Sequence, residues 1–566
     1  MKKTFILLAF LMVFAPGFSQ VVYEDISNTG IYDFLDELAN LKFITLNSAI
    51  KPYSRSYIAG KLHDAKSADA QMSADPEKPN HRLNNRQRKE LHFYLQDYQL
   101  ESPSRVTRYV SRTADGYDHK LAFLLKNQQN MTVALNPLGI HYKDSLFTFS
   151  VRPILGVQWM TNENGSEYHR WWGGSMFGYI GKNFGFYASL RDNNASVAIA
   201  KPEYFTQEQG ALYKPGSKEG VDFSEMRGGV VASWNWGSFG LIKERVEWGN
   251  NYHGATILSG KTPSFPSIQL HLNPAKWFDF NYIHAWLNSE VVDSNNSYYS
   301  GGFYREVYRN KFLAANMFTF IPWKGLNLSF GNSIVYSDNG VQPVFLIPFM
   351  FFNSVDATNS SINNNAGQNS QLFFDVSSRQ IRHLHVWVSL FIDELKISRV
   401  LDPETLNWTS WKAGFRLNDM PLQNVALTAE WTKTNPITYK HYISTTTFSS
   451  NNYCMGHYLR DNSMEIYLAL SWKPLRGIFL NLAYTLAQHG DEYPDDRSYS
   501  YDLLRFMKNK IWQNESLEFT ARYEFINNGY FYIRYIKSIQ EGDMSYQPEI
   551  MVGNTNNFNV GINIGL

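Results

Sequence analysis

EIYLALSW, residues 465–472, is the stretch on which the fold class turns. Ile466, Leu468, Leu470 and Trp472 alternate with Glu465, Tyr467, Ala469 and Ser471. Side chains along a strand point alternately to its two faces, so this is a strand with one apolar and one polar side. A turn around Pro474 to Gly477 follows. Beyond it, Ile478, Leu480, Leu482, Tyr484 and Leu486 alternate with Phe479, Asn481, Ala483 and Thr485. SLEFTARYEF repeats the pattern, with Leu517, Phe519, Ala521, Tyr523 and Phe525 against Glu518, Thr520, Arg522 and Glu524. VALTAEWT does so earlier, and Phe558, Val560, Ile562, Ile564 and Leu566 do so at the end of the sequence.

Alternation alone fits a soluble β-sandwich equally well. Length and charge separate the two. These strands run about ten residues, the length a tilted membrane strand needs. Their polar faces carry Glu, Arg, Thr and Asn, which suits a wet lumen. Short turns (WKPLRG, FINNGY) alternate with long polar loops such as 355–370 and 489–510. That is the pattern of barrels with short turns on one side of the membrane and long loops on the other. The expected fold is mainly β: a transmembrane antiparallel β-barrel of about 18 strands. A terminal aromatic is the usual end of such a chain, and Leu566 departs from it.

Composition is compatible with a barrel. Aromatics make up 16% of 566 residues, which suits two interfacial girdles and equally an aromatic-rich soluble sandwich such as a carbohydrate-binding module. A net charge of +1 argues against a global basic footprint for nucleic acid. The one cysteine, Cys454, excludes an intramolecular disulfide and a Cys-based metal cluster. Residues 1–20 read as a Sec signal peptide: Lys2 and Lys3, an apolar run from Thr4 to Ala15, then Gly17 and Ser19 before a cut at Gln20. After it comes no apolar run of about 18 residues, so a membrane crossing requires a closed barrel. The predicted location is the cell outer membrane.

Residues 21–105 read as a small helical domain and 106–566 as the barrel, with period two from about residue 117. Ile31, Phe34, Leu35 and Leu38 fall at helical spacing. Ser54 is placed to cap a second helix carrying Tyr57, Ile58, Leu62 and Ala65. Residues 68–85 are polar and read as loop. Leu91, Tyr94, Leu95 and Tyr98 mark a third helix.

Several segments resemble the capsule assembly protein Wzi family. They are IYDFLDELANLKFI (31–44) with KPYSR (51–55), ASLRDN (188–193), KERVEWGNNYHGATILSGKTPSFPSIQL (243–270), WFDFNYIHAWLNS (277–289), LIPFMFF (346–352), LFIDEL (390–395) and AEWTKTNPITYKH (429–441). Their order and spacing carry the match, rather than any single motif. The resemblance implies about 18 strands behind a periplasmic helical bundle. It implies a lectin-like hold on capsular or other surface polysaccharide, and no enzymatic activity. The implied partners are that polysaccharide, outer-membrane lipid and periplasmic assembly proteins.

The polar chemistry is densest in residues 243–253. Read as a strand, Glu244 and Val246 share one face, and Lys243, Arg245 and Glu247 the other. These charges either pair with each other or bind a charged sugar. Arg245, Glu247, Trp248 and His253 are taken as glycan-binding candidates. Arg170 and Trp172 in EYHRWWGG join them, because an exposed indole stacks on sugars. One of Trp171 and Trp172 is expected in the lipid girdle instead. Glu244 and Glu247 as a glycosidase pair would need a defined separation across a sugar. His383 and His385 are spaced to share a strand face, but two ligands make a poor metal site. The acidic loop from Asp491 lacks the spacing of a calcium loop. No metal, cofactor or catalytic residue is expected. The competing functions are a porin-like channel and a surface part of adhesion or gliding machinery.

Overall fold

The computed structural model describes residues 20–73, 82–101, 130–216, 220–337, 340–363, 367–395, 407–494 and 504–565. The predicted signal segment through Ser19, and the stretch where the helical domain was expected to give way to the barrel, lie outside them.

Three helices lead: α1 (Thr29–Asn40), α2 (Arg55–Ser73) and α3 (Asn85–Asp97). Ile31, Phe34, Leu35, Leu38, Ile58, Leu62, Leu91 and Tyr94 bury one shared core. Ser54 caps α2, its hydroxyl accepting the Tyr57 N–H at 3.1 Å. Asn84 and Gln87 form a reciprocal capping box at the start of α3. α2 runs on to Ser73, through part of the stretch expected as loop. That stretch is polar but rich in alanine, and alanine favours helix whatever its exposure.

Eighteen antiparallel strands then close into a barrel. In chain order they begin with β1 (Phe147–Asn162), β2 (Gly165–Ile180), β3 (Phe184–Ala195), β4 (Val221–Trp234), β5 (Gly237–Glu244) and β6 (Phe265–Ala275). The middle of the wall is β7 (Phe278–Val292), β8 (Tyr308–Trp323), β9 (Leu326–Ser337), β10 (Asn369–Ser378), β11 (Leu384–Glu394) and β12 (Trp408–Asn418). The last third is β13 (Val425–Thr434), β14 (Ser463–Trp472), β15 (Ile478–Gly490), β16 (Lys510–Ile526), β17 (Gly529–Gly542) and β18 (Thr555–Ile564). β18 returns to β1, with Ile564 opposite Leu155 and Phe558 opposite Thr161. A hairpin, Met131–Leu135 and Leu138–Lys143, extends the sheet beside the first residues of β1.

The wall is inside-out relative to a soluble protein. Leu155, Val157 and Trp159 of β1, Leu468, Leu470 and Trp472 of β14, and Phe558 and Val560 of β18 are exposed on its outside. Ser150, Thr428, Glu430, Glu465 and Asn557 are buried on its inside. An apolar exterior of this extent marks contact with lipid. Among the described residues no helix is long and apolar enough to cross a membrane.

One long connection lies against the outer wall. Residues 340–352 cover β7–β9, where the Tyr282 hydroxyl donates to the Phe345 carbonyl at 2.6 Å. The Asn316 amide donates to the Pro348 and Met350 carbonyls at 2.9 Å each. Outward-facing polar groups are thereby satisfied by the strap, while Leu346, Ile347, Phe349 and Phe351 are left exposed on it.

Candidate functional site: a lumen closed from both ends

At the short-turn end, α1 carries Asp33, Asp36 and Glu37 at i, i+3 and i+4, a single face opposite its apolar stripe. The barrel offers cations at the same level. Arg416 meets Asp33, and Lys473 reaches Asp33 at 2.5 Å and Glu37 at 3.2 Å. Arg379 meets Asp36 at 2.5 Å. Arg86 of α3 also holds Glu37. Burial opposes ionisation of Asp33, yet Arg416 and Lys473 outweigh it and hold its carboxyl well below the usual range. Glu37 follows the same logic: burial raises it, and Arg86 and Lys473 bring it down to about 2. Ahead of α1, Asp25 bonds Arg227 of β4 and Arg245 just beyond β5, the second at 2.6 Å. Sequence reading picked out the apolar stripe of α1 but not this acidic one. Its signal was present in DFLDEL.

From the long-loop end, residues 245–264 fold down into the barrel. Glu247–Trp248 pairs with Ile50–Lys51 on one side and Leu258–Ser259 on the other. A three-stranded sheet thus stands inside the lumen, built from both closures. It lies against mid-strand positions of the wall, since Asn250 bonds Asp375 of β10 and Ser389 of β11 bonds the same carboxyl. Above it the long connections are knit together. The Tyr453 hydroxyl donates to the Ala200 and Ala211 carbonyls at 2.7 and 2.8 Å. The Ser259 N–H donates to Met455 at 2.8 Å, and the Tyr439 hydroxyl to Thr256 at 2.6 Å.

The six sequence-chosen residues fall in two places. Arg245 is buried on Asp25. Glu247 pairs with Lys51 at 2.7 Å. Trp248 is buried in an apolar cluster beside Phe373. His253 sits 3.0 Å from Glu465 and stacks on Tyr467 with ring centroids 4.2 Å apart. Arg170 and Trp172 face outward on β2, away from the other four, with Trp172 on the apolar exterior. Its neighbour Trp171 points inward and donates to Asn563 at 3.1 Å. The strand parity assumed for residues 243–247 breaks because β5 ends at Glu244 and the chain turns into the lumen. Lys243 faces out, whereas Arg245 and Glu247 are carried inside. Glu244 is held by Arg227 at 3.2 Å.

The histidine pair does not share a strand face either. His383 lies in the turn before β11 with a left-handed backbone, and its ring bonds the Asn418 carbonyl at 2.9 Å. His385 bonds Ser377 and Tyr252 inside the barrel. Of the acidic loop, residues 491–494 are described. Asp461, His489 and Glu492 do converge near it. Lys440 and Arg460 reach the same carboxylates at 2.9–3.3 Å, so the charge there is already met.

Two chambers persist beside the closures. One of about 630 Å³ lies between α1 and the walls of β1–β3 and β16–β18, with Glu518, Thr520, Arg522, Tyr530 and Arg534 among its lining. A second, of about 330 Å³, adjoins it around Tyr252, Asp36 and Arg416. A feature that sequence reading passed over stands at the long-loop end. The hairpin Tyr298–Ser300 and Phe303–Arg305 turns through Gly301 and Gly302, both in left-handed conformation as a tight two-residue hairpin requires. It presents Tyr299 at 77% exposure and Phe303 at 72%, with Tyr304 beside Tyr299 at 5.1 Å between ring centroids.

These features define a plugged outer-membrane β-barrel. The family model described as capsule assembly protein Wzi matches residues 201–529, more than half of the chain, and the chain belongs to that family. Among solved structures, Wzi of Escherichia coli is similar over 97% of this chain and 100% of its own, at 10% identity and a TM-score of 0.55. That protein is described as an outer-membrane, carbohydrate-binding β-barrel involved in group 1 capsule assembly. At this identity the likeness shows the fold. Weaker likenesses, too slight to bear on function, extend to OccD3 of Pseudomonas aeruginosa (12% identity, 73% of this chain and 90% of that one, TM-score 0.40) and OccAB2 of Acinetobacter baumannii (10%, 73% and 97%, 0.41). No curated protein matches the chain.

Proposed function

We propose that this member of the family holds surface or capsular polysaccharide at the cell exterior by binding alone, without catalysis. The long-loop end is read as the exterior and the short-turn end as the periplasm. Residues 21–105 then face the periplasm, where they brace the barrel and stand available to assembly proteins, while the apolar wall contacts outer-membrane lipid. The observation that carries the proposal is the aromatic hairpin. Exposed tyrosine and phenylalanine rings at a loop tip offer flat apolar faces to sugar rings, and the tyrosine hydroxyls offer hydrogen bonds. The plugged lumen supports surface attachment over passage. Glu244 and Glu247 support binding too, since Arg227 and Lys51 engage them.

The test is capsule retention in a deletion strain carrying the chain with Tyr299→Ala, Phe303→Ala and Tyr304→Ala together. Each aromatic contact is worth about 0.5–1.5 kcal/mol, so cell-bound polysaccharide should fall about tenfold or more. Unchanged retention at normal barrel levels in the membrane would sink the proposal.

A further inference from the structure

The barrel wall is not continuous at every height. β4 pairs with β3 from Val221 to Ala232. On its other side it pairs with β5 from Gly228 to Trp234. β5 ends at Glu244 and its chain leaves for the lumen, and β6 starts opposite that residue. The short strand Lys214–Pro215 covers Val221 and Asp222. Among the described residues, Phe223–Arg227 therefore have no ladder partner on this side. Residues 209–213 run past that edge without joining it. They are held by the Gln209 amide, which donates to Glu225 at 2.7 Å, and by an edge contact of Tyr213 on Phe223 at 5.0 Å.

A cavity of about 220 Å³ fills the space between. Val197, Ile199, Ala211, Leu212, Phe223 and Met226 make much of its lining apolar. Its lining also joins the two sides of the wall. Met226 and Lys243 belong to the outer face, Phe223 and Glu225 to the inner one. Gln158, His169, Arg191 and Glu208 line both this cavity and the large lumen chamber.

The height of the gap is fixed by its neighbours. At its lower end on the outer face stands Met226, and below it Val230, both exposed and apolar. At its upper end on the same face stands Ser224, and above it Asp222, bonded to Asp192 and Asn194 of β3. The gap thus lies at the upper margin of the apolar belt, at the level of outer-leaflet head groups. Lys243 stands at its rim, its ammonium bonding two neutral acceptors, the Met226 carbonyl at 2.6 Å and the Ser264 hydroxyl at 2.7 Å. An unpaired strand edge is tolerated at membrane depth where it faces protein or a cavity, and here it faces both.

We infer that the β4–β5 seam is a lateral port. It admits the acyl chain of an outer-leaflet amphiphile into the cavity, with the head group resting at Lys243. The apolar lining suits the chain, the lysine suits an anionic head, and the shared wall residues give the head a way toward the polar chamber. This inference does not depend on glycan binding by the outer hairpin.

The test uses the full chain in phosphatidylcholine vesicles whose lipid carries a nitroxide on the acyl chain. In a Cys454→Ser background, Ala211→Cys is labelled with an environment-sensitive fluorophore. Thr520→Cys, in the lumen chamber, is labelled as the control. The label at 211 should be quenched at least threefold more than the label at 520. Closing the rim with Ser264→Trp, or charging it with Met226→Asp if the first variant does not fold, should remove that excess. Equal quenching at the two sites, or an excess indifferent to the folded rim variants, would overturn the port. Adding unlabelled rough lipopolysaccharide separates the sources. Relief of quenching assigns the cavity to a glycolipid, and its persistence assigns it to phospholipid.

Discussion

The two halves of the lumen are made by the same alternation yet are different places. Under β7–β11, the inward side chains Ile283, Ala285, Leu313, Met317, Val335, Phe373 and Phe391 pack against Val246, Trp248, Ile257 and Leu258 of the inserted loop. That half is dry. Along β16–β18 and β1–β3, the inward side chains Glu518, Thr520, Arg522, Arg534 and Gln158 line the large chamber. That half is wet. Period two says which residues point inward. What awaits them inside depends on which loop arrives there.

The sharpest way to break the contrast is to wet the dry half. Trp248→Ala removes the largest buried side chain of the inserted loop and should cost about 3–5 kcal/mol. The loop should lose its seat, so protease added outside vesicles should cut within residues 245–264, and ion conductance in planar bilayers should rise well above that of the parent. An uncut loop with parental conductance would mean that the plug does not rest on this residue.

Acid should loosen the other closure. The Glu37 carboxyl, brought down to about 2, and Asp33, shifted the same way, each sit below their unfolded values. Such groups stabilise docking above the unfolded pKa near 4, and that contribution disappears as pH falls through the folded one. Protease resistance of residues 20–73 and 82–101 should hold at pH 6 and decline between about pH 4 and pH 2. Asp33→Asn with Glu37→Gln should be susceptible already at pH 6, since Arg416 and Lys473 would keep only their longer contacts, to Asp36 at 4.0 Å and Glu90 at 3.8 Å. Resistance that is flat with pH would remove these carboxylates from the account.

The smallest effect belongs to the wet half. Thr520→Val exchanges a chamber-lining hydroxyl for a methyl group where water has room, and barrel stability should change by about 0.5 kcal/mol or less. Thermal loss of heat-modifiable electrophoretic mobility measures it. A loss comparable to that of Trp248→Ala would show that the two halves are not different after all.

The contrast also explains what could be read in advance. β13, β14, β15, β16 and β18 stand where the alternation put them, because lipid outside and polar interior inside mark both faces of each strand. In NYIHAWL of β7 the alternation fades. Ile283 and Ala285 face a dry interior, while Tyr282 and His284 face out beneath the strap, so both faces are covered by protein. A strand buried on both faces carries no binary pattern. The candidate site was less legible. Residues 243–253 stood out as the stretch densest in polar chemistry, but a strand reading cannot foresee the turn at Glu244 that sends Arg245 and Glu247 inside. The barrel cations that meet Asp33, Asp36 and Glu37 lie more than 300 positions away, beyond any local pattern.

The small sheet inside the lumen has a consequence for assembly order. Ile50 comes from the segment between α1 and α2, which docks at one end of the barrel, and its partner Trp248 hangs from the other. Neither strand can pair until both have reached the middle of the pore, and contacts so distant along a chain form slowly. The sheet is therefore a clasp that fastens late. Its formation marks the moment at which the wall, the helices and the inserted loop are all in place.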